Sequence, residues 1–397
     1  MKALHYCNKI IRAVGYTMAT SFCKKNKKLW VFGAWKGTAY NDNTKYLFEY
    51  VAKNEPDITA VWITKNSDVY NHIKSLGYKV ELWPEKEAKK AVRHAGFMFQ
   101  TEGNRDIGEF PVGRTHVIQL WHGISMKRLD SWNKSDGKIK KFLISLYAEK
   151  HQKSIWCVAS DFVAMSHNEM MNIPMKQFRC TGNPRDDVLV NKAFESQASK
   201  HILDLCGDST PVAYFPTHRN FGKDFDPDFV IDGLLTLDKA FGENKLRLFY
   251  KPHPNEAKML KEAMCDKRIE YRNIHILTDR LFDDVYEYLH VFKCLITDYS
   301  SVAYDFLCLE RPIVYFNYDL QKYIDSDAGI LPVYYEYQAG PFVDDWISLA
   351  ETIISTLSNN ENDIWKEKRE KCQMYVNPFN DGGSCKRIVE TLRKEFM

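Results

Sequence analysis

The chain has 397 residues, 45% of them hydrophobic, which suits two ordinary globular domains and excludes a disordered or fibrous protein. Lys and Arg number 55 against 52 Asp and Glu, a net charge of +3, so bulk charge gives no case for a nucleic-acid partner. No stretch approaches the ~18 to 20 apolar residues of a membrane span, and the N-terminus lacks an apolar run followed by a cleavage site, so neither an integral nor a secreted protein is expected.

Residues 1–28 stand apart. The first acidic residue is Asp42, whereas Lys2, Lys9, Arg12, Lys24, Lys25, Lys27, Lys28 and Lys36 precede it. Leu4, Cys7, Ile11, Val14, Met18 and Phe22 recur at three- and four-residue spacing, predicting a basic amphipathic helix. Such a helix either packs on the body of the protein or lies on an anionic membrane surface.

From Leu29 short apolar runs alternate with helical stretches. Strands are expected at Leu29–Phe32, Ile58–Thr64, Tyr78–Trp83, Gly96–Gln100 and Val117–Trp121, with helices through Lys45–Val51 and Glu85–Ala95 between them. That rhythm predicts a parallel sheet. A basic stretch from Lys127 to Lys153 follows, then a strand at Ser154–Ser160, a helix and the turn Thr181-Gly-Asn-Pro-Arg-Asp-Asp. A second set of strands is read at Val212–Phe215, Leu246–Tyr250, Ile274–Leu277, Cys294–Thr297 and Ile313–Phe316. The expected organisation is an α/β protein of two doubly wound, Rossmann-like domains, 29–205 and 206–397, facing a cleft. The ten cysteines form no CxxC pair and no metal-ligand spacing, which fits free thiols in a reducing cytoplasm. Neither GxGxxG nor GxxxxGK[ST] occurs, which argues against a dinucleotide site and a P-loop.

Ligands of doubly wound sheets gather at the carboxyl ends of strands. Five polar segments follow predicted strands: Trp121-His122-Gly123, Gly182-Asn-Pro-Arg185-Asp186, Pro216-Thr217-His218-Arg219, Lys251-Pro-His253-Pro and Asp298-Tyr-Ser300-Ser301. Histidines, arginines, a lysine and hydroxyls without a carboxylate-rich cage describe a site for a diphosphate. His122 suits a general base, and Gly123 lets the backbone bend beside it. His253, between two prolines, is aimed by a stiff loop and can donate to a phosphate oxygen or leaving group. Arg185 and Arg219 can grip phosphate bidentately; Arg185 is equally suited to pair with Asp186 or Asp187. Ser300 and Ser301, at a strand-to-helix turn, fit a phosphate cradle or a plain helix cap. Asp298 and Asp305 are too few for a metal cage, and no metal ligand set or cofactor is assigned.

In this order the segments resemble the CDP-glycerol glycerophosphotransferase family, which includes teichoic acid primases and polymerases and related capsule enzymes. Gln119-Leu-Trp-His-Gly, Gly182-Asn-Pro-Arg-Asp-Asp-Val-Leu, Pro216-Thr-His-Arg, Lys251-Pro-His-Pro, Ile296-Thr-Asp-Tyr-Ser-Ser-Val-Ala-Tyr-Asp-Phe, Pro312-Ile-Val-Tyr-Phe and Asp319 carry the likeness, which spans about residues 29 to 390. The resemblance implies a GT-B-type fold with the donor held mainly by the C-terminal half. It implies that His122 is the base, that His253 lies at the donor diphosphate, that Ser300 and Ser301 bind phosphate, and that Thr217, Arg219, Lys251, Asp298 and Arg185 serve the donor site. The implied reaction is attack of an acceptor hydroxyl on the β-phosphorus of CDP-glycerol or another CDP-alditol, expelling CMP. The implied acceptor is a lipid-linked saccharide or polymer at the inner membrane face, reached by a cytoplasmic, peripheral enzyme. Ser125 stands where the family usually has proline, and Ala328-Gly329 where it often has Arg-Gly, which leaves glycerol and ribitol both open as the alditol. The rival readings are a GT-B glycosyltransferase or sugar-nucleotide epimerase, and a non-catalytic nucleotide-binding scaffold.

Overall fold

The computed structural model describes residues 2–109, 112–124, 153–171, 173–191, 194–219, 225–326, 336–358 and 363–397, with side chains from residue 12 onward. The expectations attached to Ser125, to most of the basic stretch from Lys127, and to Ala328-Gly329 lie outside the described residues.

Two units emerge, each built on one parallel sheet. The first takes the described residues up to His122, those from 153 to Asp187, and Phe379–Met397; the second is built on Val188–Pro378. The first sheet contains β1 (Asn26–Phe32), β2 (Thr59–Thr64), β3 (Val80–Leu82), β4 (Ala95–Gln100), β5 (His116–Gln119), β6 (Ile155–Val158) and β7 (Phe178–Cys180) in the order β3-β2-β1-β4-β5-β6-β7. The second contains β8 (Thr210–Tyr214), β9 (Leu246–Tyr250), β10 (Ile274–Ile276), β11 (Cys294–Thr297), β12 (Ile313–Phe316) and β13 (Phe342–Val343) in the order β10-β9-β8-β11-β12-β13. Every pairing is parallel. In both sheets the winding reverses beside the first strand, between β1 and β4 and between β8 and β11, and these reversals are where a doubly wound sheet opens a crevice at its carboxyl edge.

The strands are short and nearly continuous in apolar residues because both faces are covered. Trp30, Phe32, Trp62, Phe97 and Phe99 fill one side of the first sheet, and Val31, Val61, Ile63 and Met98 the other. The second sheet packs Val212, Tyr214, Leu248, Tyr250, Ile296 and Phe316 against Leu234, Leu237 and Phe241 of the helix Pro227–Glu243.

The expected division at residues 205 and 206 differs from the observed units in two ways. The first unit ends at Asp187, and the chain returns to it at Phe379. Its last helix, Ser384–Phe396, buries Cys385, Ile388, Val389 and Leu392, a one-sided apolar stripe, against the core around Trp30 and Phe48. Asp187 fixes that return by accepting the N–H groups of Ser384 and Cys385, each at 2.9 Å.

At the N-terminus Lys2–Ser21 is helical. Thr20, buried, accepts the Gly113 N–H through its hydroxyl at 2.8 Å, so one face packs on the first unit. The opposite face leaves Val14, Met18 and Phe22 exposed, Phe22 by 88%. No helix among the described residues is long and apolar enough to cross a membrane.

Candidate active site

In the first unit, Asp106 ties together the loops that leave β1 and β4. Fully buried, its carboxylate accepts the N–H groups of Lys36, Thr101 and Glu102 at 2.8 Å each, and the Thr101 hydroxyl at 3.2 Å. Burial pushes its pKa up, while those backbone donors oppose the shift. The carbonyl of Thr101, fixed in this way, faces Nδ1 of His122 at 3.4 Å. A carbonyl only accepts, so this contact selects the tautomer protonated at Nδ1 and leaves the lone pair on Nε2.

His122 follows β5 through a tight turn. Trp121 has φ +51 and Gly123 φ +134, so the bend expected at the glycine is shared with a bulky residue in the left-handed region. The imidazole lies against the rings of Trp121 and Trp35, with centroids at 4.3 and 5.2 Å. Burial lowers its pKa and the Arg185 guanidinium adds to that; Asp42, the Thr101 carbonyl and Glu102 work the other way. The result is an imidazole that stays neutral, and therefore able to accept a proton, somewhat below the usual range.

Arg185, read from sequence as a phosphate grip or a partner of Asp186 or Asp187, has a different partner in the fold. It is 1% exposed, and Nη1 meets Oδ1 of Asp42 at 2.9 Å. The sequence reading missed Asp42 and Asn43: a run of Asn and Asp before a helix looks like ordinary capping, and their partners lie 77 to 143 residues away.

In the second unit, Asp298 binds the loops leaving β8 and β11. It is 1% exposed and accepts the N–H groups of Thr217 at 2.8 Å and Tyr299 at 2.6 Å. Arg219, 4% exposed, bridges Asp298 and Asp319: Nη1 to Asp298 at 2.8 Å, and Nε and Nη2 to the Asp319 carboxylate at 2.5 and 3.0 Å. The rings of Tyr299, Tyr318 and Tyr323 surround the guanidinium. Burial works to lower the Arg219 pKa, but Asp298, Tyr318 and Asp319 prevail and raise it. These contacts make Asp298 and Arg219 a mutual brace at the carboxyl edge where the sequence places a donor site.

The same brace reaches His253. Glu256 accepts the Arg219 N–H at 2.6 Å from the first turn of the helix Pro254–Lys267, which His253 caps. The His253 ring accepts the Asn255 N–H at Nδ1, at 3.4 Å, so in the neutral imidazole the proton is at Nε2, the reverse of His122. The His218 ring stands 5.3 Å from it, centroid to centroid. Lys251, largely buried, donates to the Phe282 carbonyl at 2.6 Å; burial lowers its pKa while Asp283 and Asp284 oppose.

Three hydroxyls complete the edge. Ser300 and Ser301 are half-buried before the short helix Val302–Phe306, and their carbonyls take the N–H groups of Ala303 and Tyr304. The Thr217 hydroxyl is buried and has no hydrogen-bond partner among the described residues. Among the described residues no group of three His, Cys, Asp or Glu is placed to hold a metal ion.

The two parallel sheets and their polar edges define a GT-B-like α/β protein with charged and hydroxyl groups at the carboxyl edge of its second unit. Residues 16–394 match the model of the CDP-Glycerol:Poly(glycerophosphate) glycerophosphotransferase family, and the chain belongs to that family. It is 25% identical over 392 residues to the teichoic acid glycerol-phosphate transferase of Staphylococcus aureus, covering 93% of this chain and 94% of that protein. It is 26% identical over 385 residues to the teichoic acid poly(glycerol phosphate) polymerase of Staphylococcus epidermidis, covering 92% of this chain but half the length of that polymerase. Among solved structures, the wall teichoic acid polymerase TagF in a variant soaked with CDPG superposes with a TM-score of 0.78 at 21% identity, covering 99% of this chain and 98% of that one.

Proposed function

We propose that the protein transfers glycerol phosphate, or a related alditol phosphate, from a CDP-alditol to a hydroxyl of a lipid-linked saccharide or polymer, releasing CMP. The observation that carries this reading is the carboxyl edge of β8 and β11. There the Thr217 hydroxyl is buried without a partner, beside a loop braced by Asp298 and Arg219, and the Ser300 and Ser301 hydroxyls stand at the companion loop. A buried hydroxyl without a partner costs about 1–3 kcal/mol, and a bound phosphoryl oxygen would remove that cost.

On this reading the second unit holds the donor. Lys251 and the Nε2–H of His253 oppose the negative charge of the diphosphate, and the hydroxyls accept or donate around it. The first unit supplies the base: Nε2 of His122 takes the proton of the acceptor hydroxyl as its oxygen bonds to the β-phosphorus and the bridging P–O bond to CMP breaks. The opposite tautomers of the two histidines suit these roles, one a proton acceptor and the other a donor. No metal or cofactor is assigned.

The acceptor brings the protein to a membrane, and the N-terminal helix suits that task. Its exposed Val14, Met18 and Phe22 form one apolar stripe, with basic residues on either side along the chain. Such a face binds anionic bilayers by apolar insertion and by about 1 kcal/mol per nearby cation. The protein is thus read as peripheral on the cytoplasmic face.

The test is CMP release by the purified chain offered CDP-glycerol, CDP-ribitol and UDP-sugars with membrane-extracted acceptor. Release from one CDP-alditol, abolished by His122→Ala, supports the reading and names the donor. Turnover with UDP-sugars alone replaces it with a glycosyltransferase or epimerase, and donor binding without turnover replaces it with a scaffold.

A further inference from the structure

Beside His122 lies a buried residue that the transfer chemistry does not itself call for. Asn43 is 1% exposed, in the first turn of the helix Asp42–Asn54. Its side-chain nitrogen donates to the carbonyls of Leu120 at 3.2 Å and Trp121 at 3.0 Å, the two residues before His122. Its side-chain oxygen accepts the N–H of Arg185 at 3.2 Å. The orientation of the amide follows from its partners, since two carbonyls can only accept and an N–H can only donate.

The backbone that Asn43 holds is a strained part of the site. Trp121 sits at φ +51 and Asp42 at φ +65, both in the left-handed region that L residues with side chains rarely adopt. Each such residue is costly and persists only where its surroundings over-determine it. Asn43 supplies that determination on the Trp121 side. On the other side, Asp42 accepts the N–H of Asn43 at 2.8 Å and pairs with the Arg185 guanidinium at 2.9 Å.

We propose that Asn43 is a positioning residue for the reaction: its amide locks the Leu120–Trp121 turn to the Arg185 loop and thereby aims the His122 imidazole. The inference rests on the reading of His122 as the base. Without the amide, the turn relaxes toward negative φ and the imidazole leaves the place set by the Thr101 carbonyl and the rings of Trp35 and Trp121. A displacement near 1 Å in a reacting group is worth up to about 100-fold in rate. The groups facing His122 are Asp42, Arg185 and Glu102, with His167 close enough to feel its charge.

The test compares the parent chain with Asn43→Asp, which keeps the shape and loses the donors, and Asn43→Ser, which keeps one donor. Turnover with a CDP-alditol should fall about 10- to 100-fold in Asn43→Asp and less in Asn43→Ser, with the donor KM held within about twofold. The His122 ring signal, followed by NMR in the ligand-free chain, should titrate at higher pH in Asn43→Ser, whose neutral side chain adds no charge of its own, as the ring leaves its buried place. An unchanged turnover in folded Asn43→Asp with an unchanged titration in folded Asn43→Ser would overturn the inference, as would a donor KM that rises with turnover intact. Failure of both variants to fold would also overturn it, in favour of a purely structural residue. A parent chain that releases no CMP would refute the functional reading instead, and the His122 titration would still decide the role of Asn43.

Discussion

The two carboxyl edges of the molecule use the same topology in opposite ways. In the first unit the loops around His122 are densely cross-tied: Asp106 gathers four donating groups at 2.8 to 3.2 Å, Arg185 is paired to Asp42, and Asn43 has both ends of its amide engaged, while the buried Thr44 hydroxyl and Gln100 amide have no partner among the described residues. In the second unit the brace of Asp298, Arg219 and Asp319 is equally closed, but beside it the buried Thr217 hydroxyl has no partner among the described residues, and Ser300 and Ser301 are half-buried. On the proposed reading, one edge holds the base in place and the other presents groups to the donor. Loss of a group from the first edge should therefore reduce turnover, and loss from the second should reduce donor binding.

The comparison breaks most sharply at His122. His122→Ala should lower CMP release by about 10²- to 10⁴-fold, the usual worth of general-base help, while the affinity for the CDP-alditol stays near the parent value by calorimetry. Removing the brace acts on folding instead. Arg219→Met strands the buried carboxylate of Asp298 and the half-buried one of Asp319, and chemical denaturation should show a loss of about 3–5 kcal/mol.

Thr217→Val sharpens the contrast, since it removes a hydroxyl that the fold does not use. Stability should hold or rise by up to about 1 kcal/mol, while the donor KM rises several-fold. A loss of stability with unchanged KM would make Thr217 a structural residue.

His167 gives the first unit a pH signature of its own. Burial among Trp121, Trp156 and Phe178 holds its imidazole down at about 3, against an ordinary 6.5, and neither ring nitrogen has a partner among the described residues. The unfolded chain takes up the proton first, so stability is unaffected above pH 6.5 and falls as pH drops below it. At pH 5 the loss is about 2 kcal/mol. His167→Phe should flatten that slope in thermal melts between pH 7 and 5, and an unchanged slope would assign the acid sensitivity elsewhere. The smallest effect is expected at Phe22, where Phe22→Asp should weaken flotation with anionic vesicles and leave turnover on a detergent-dispersed acceptor unchanged.

Much of the architecture was legible because strands buried on both faces announce themselves as short apolar runs between helical patterns. Among the described residues thirteen strands form the two sheets, and the two that escaped, Phe178–Cys180 and Phe342–Val343, are sheet-edge segments of three and two residues with no pattern to read. The site was legible as a list of strand-end motifs but not as a set of partnerships. Arg185 and Arg219 are residue types that grip phosphate, and nothing local reveals that Asp42 and Asp319, 143 and 100 residues away, engage them. The return of Ser384–Phe396 to the first unit was hidden for the same reason: an amphipathic stripe declares a buried face without naming what buries it.

The account is tested most directly by measuring CDP-glycerol binding and CMP release on the same preparations of His122→Ala and of the double variant Ser300→Ala/Ser301→Ala. The account predicts that the first binds donor like the parent and turns over almost nothing, while the second loses donor affinity by about tenfold or more. Loss of donor binding in His122→Ala, or parental binding in the serine variant, would contradict it.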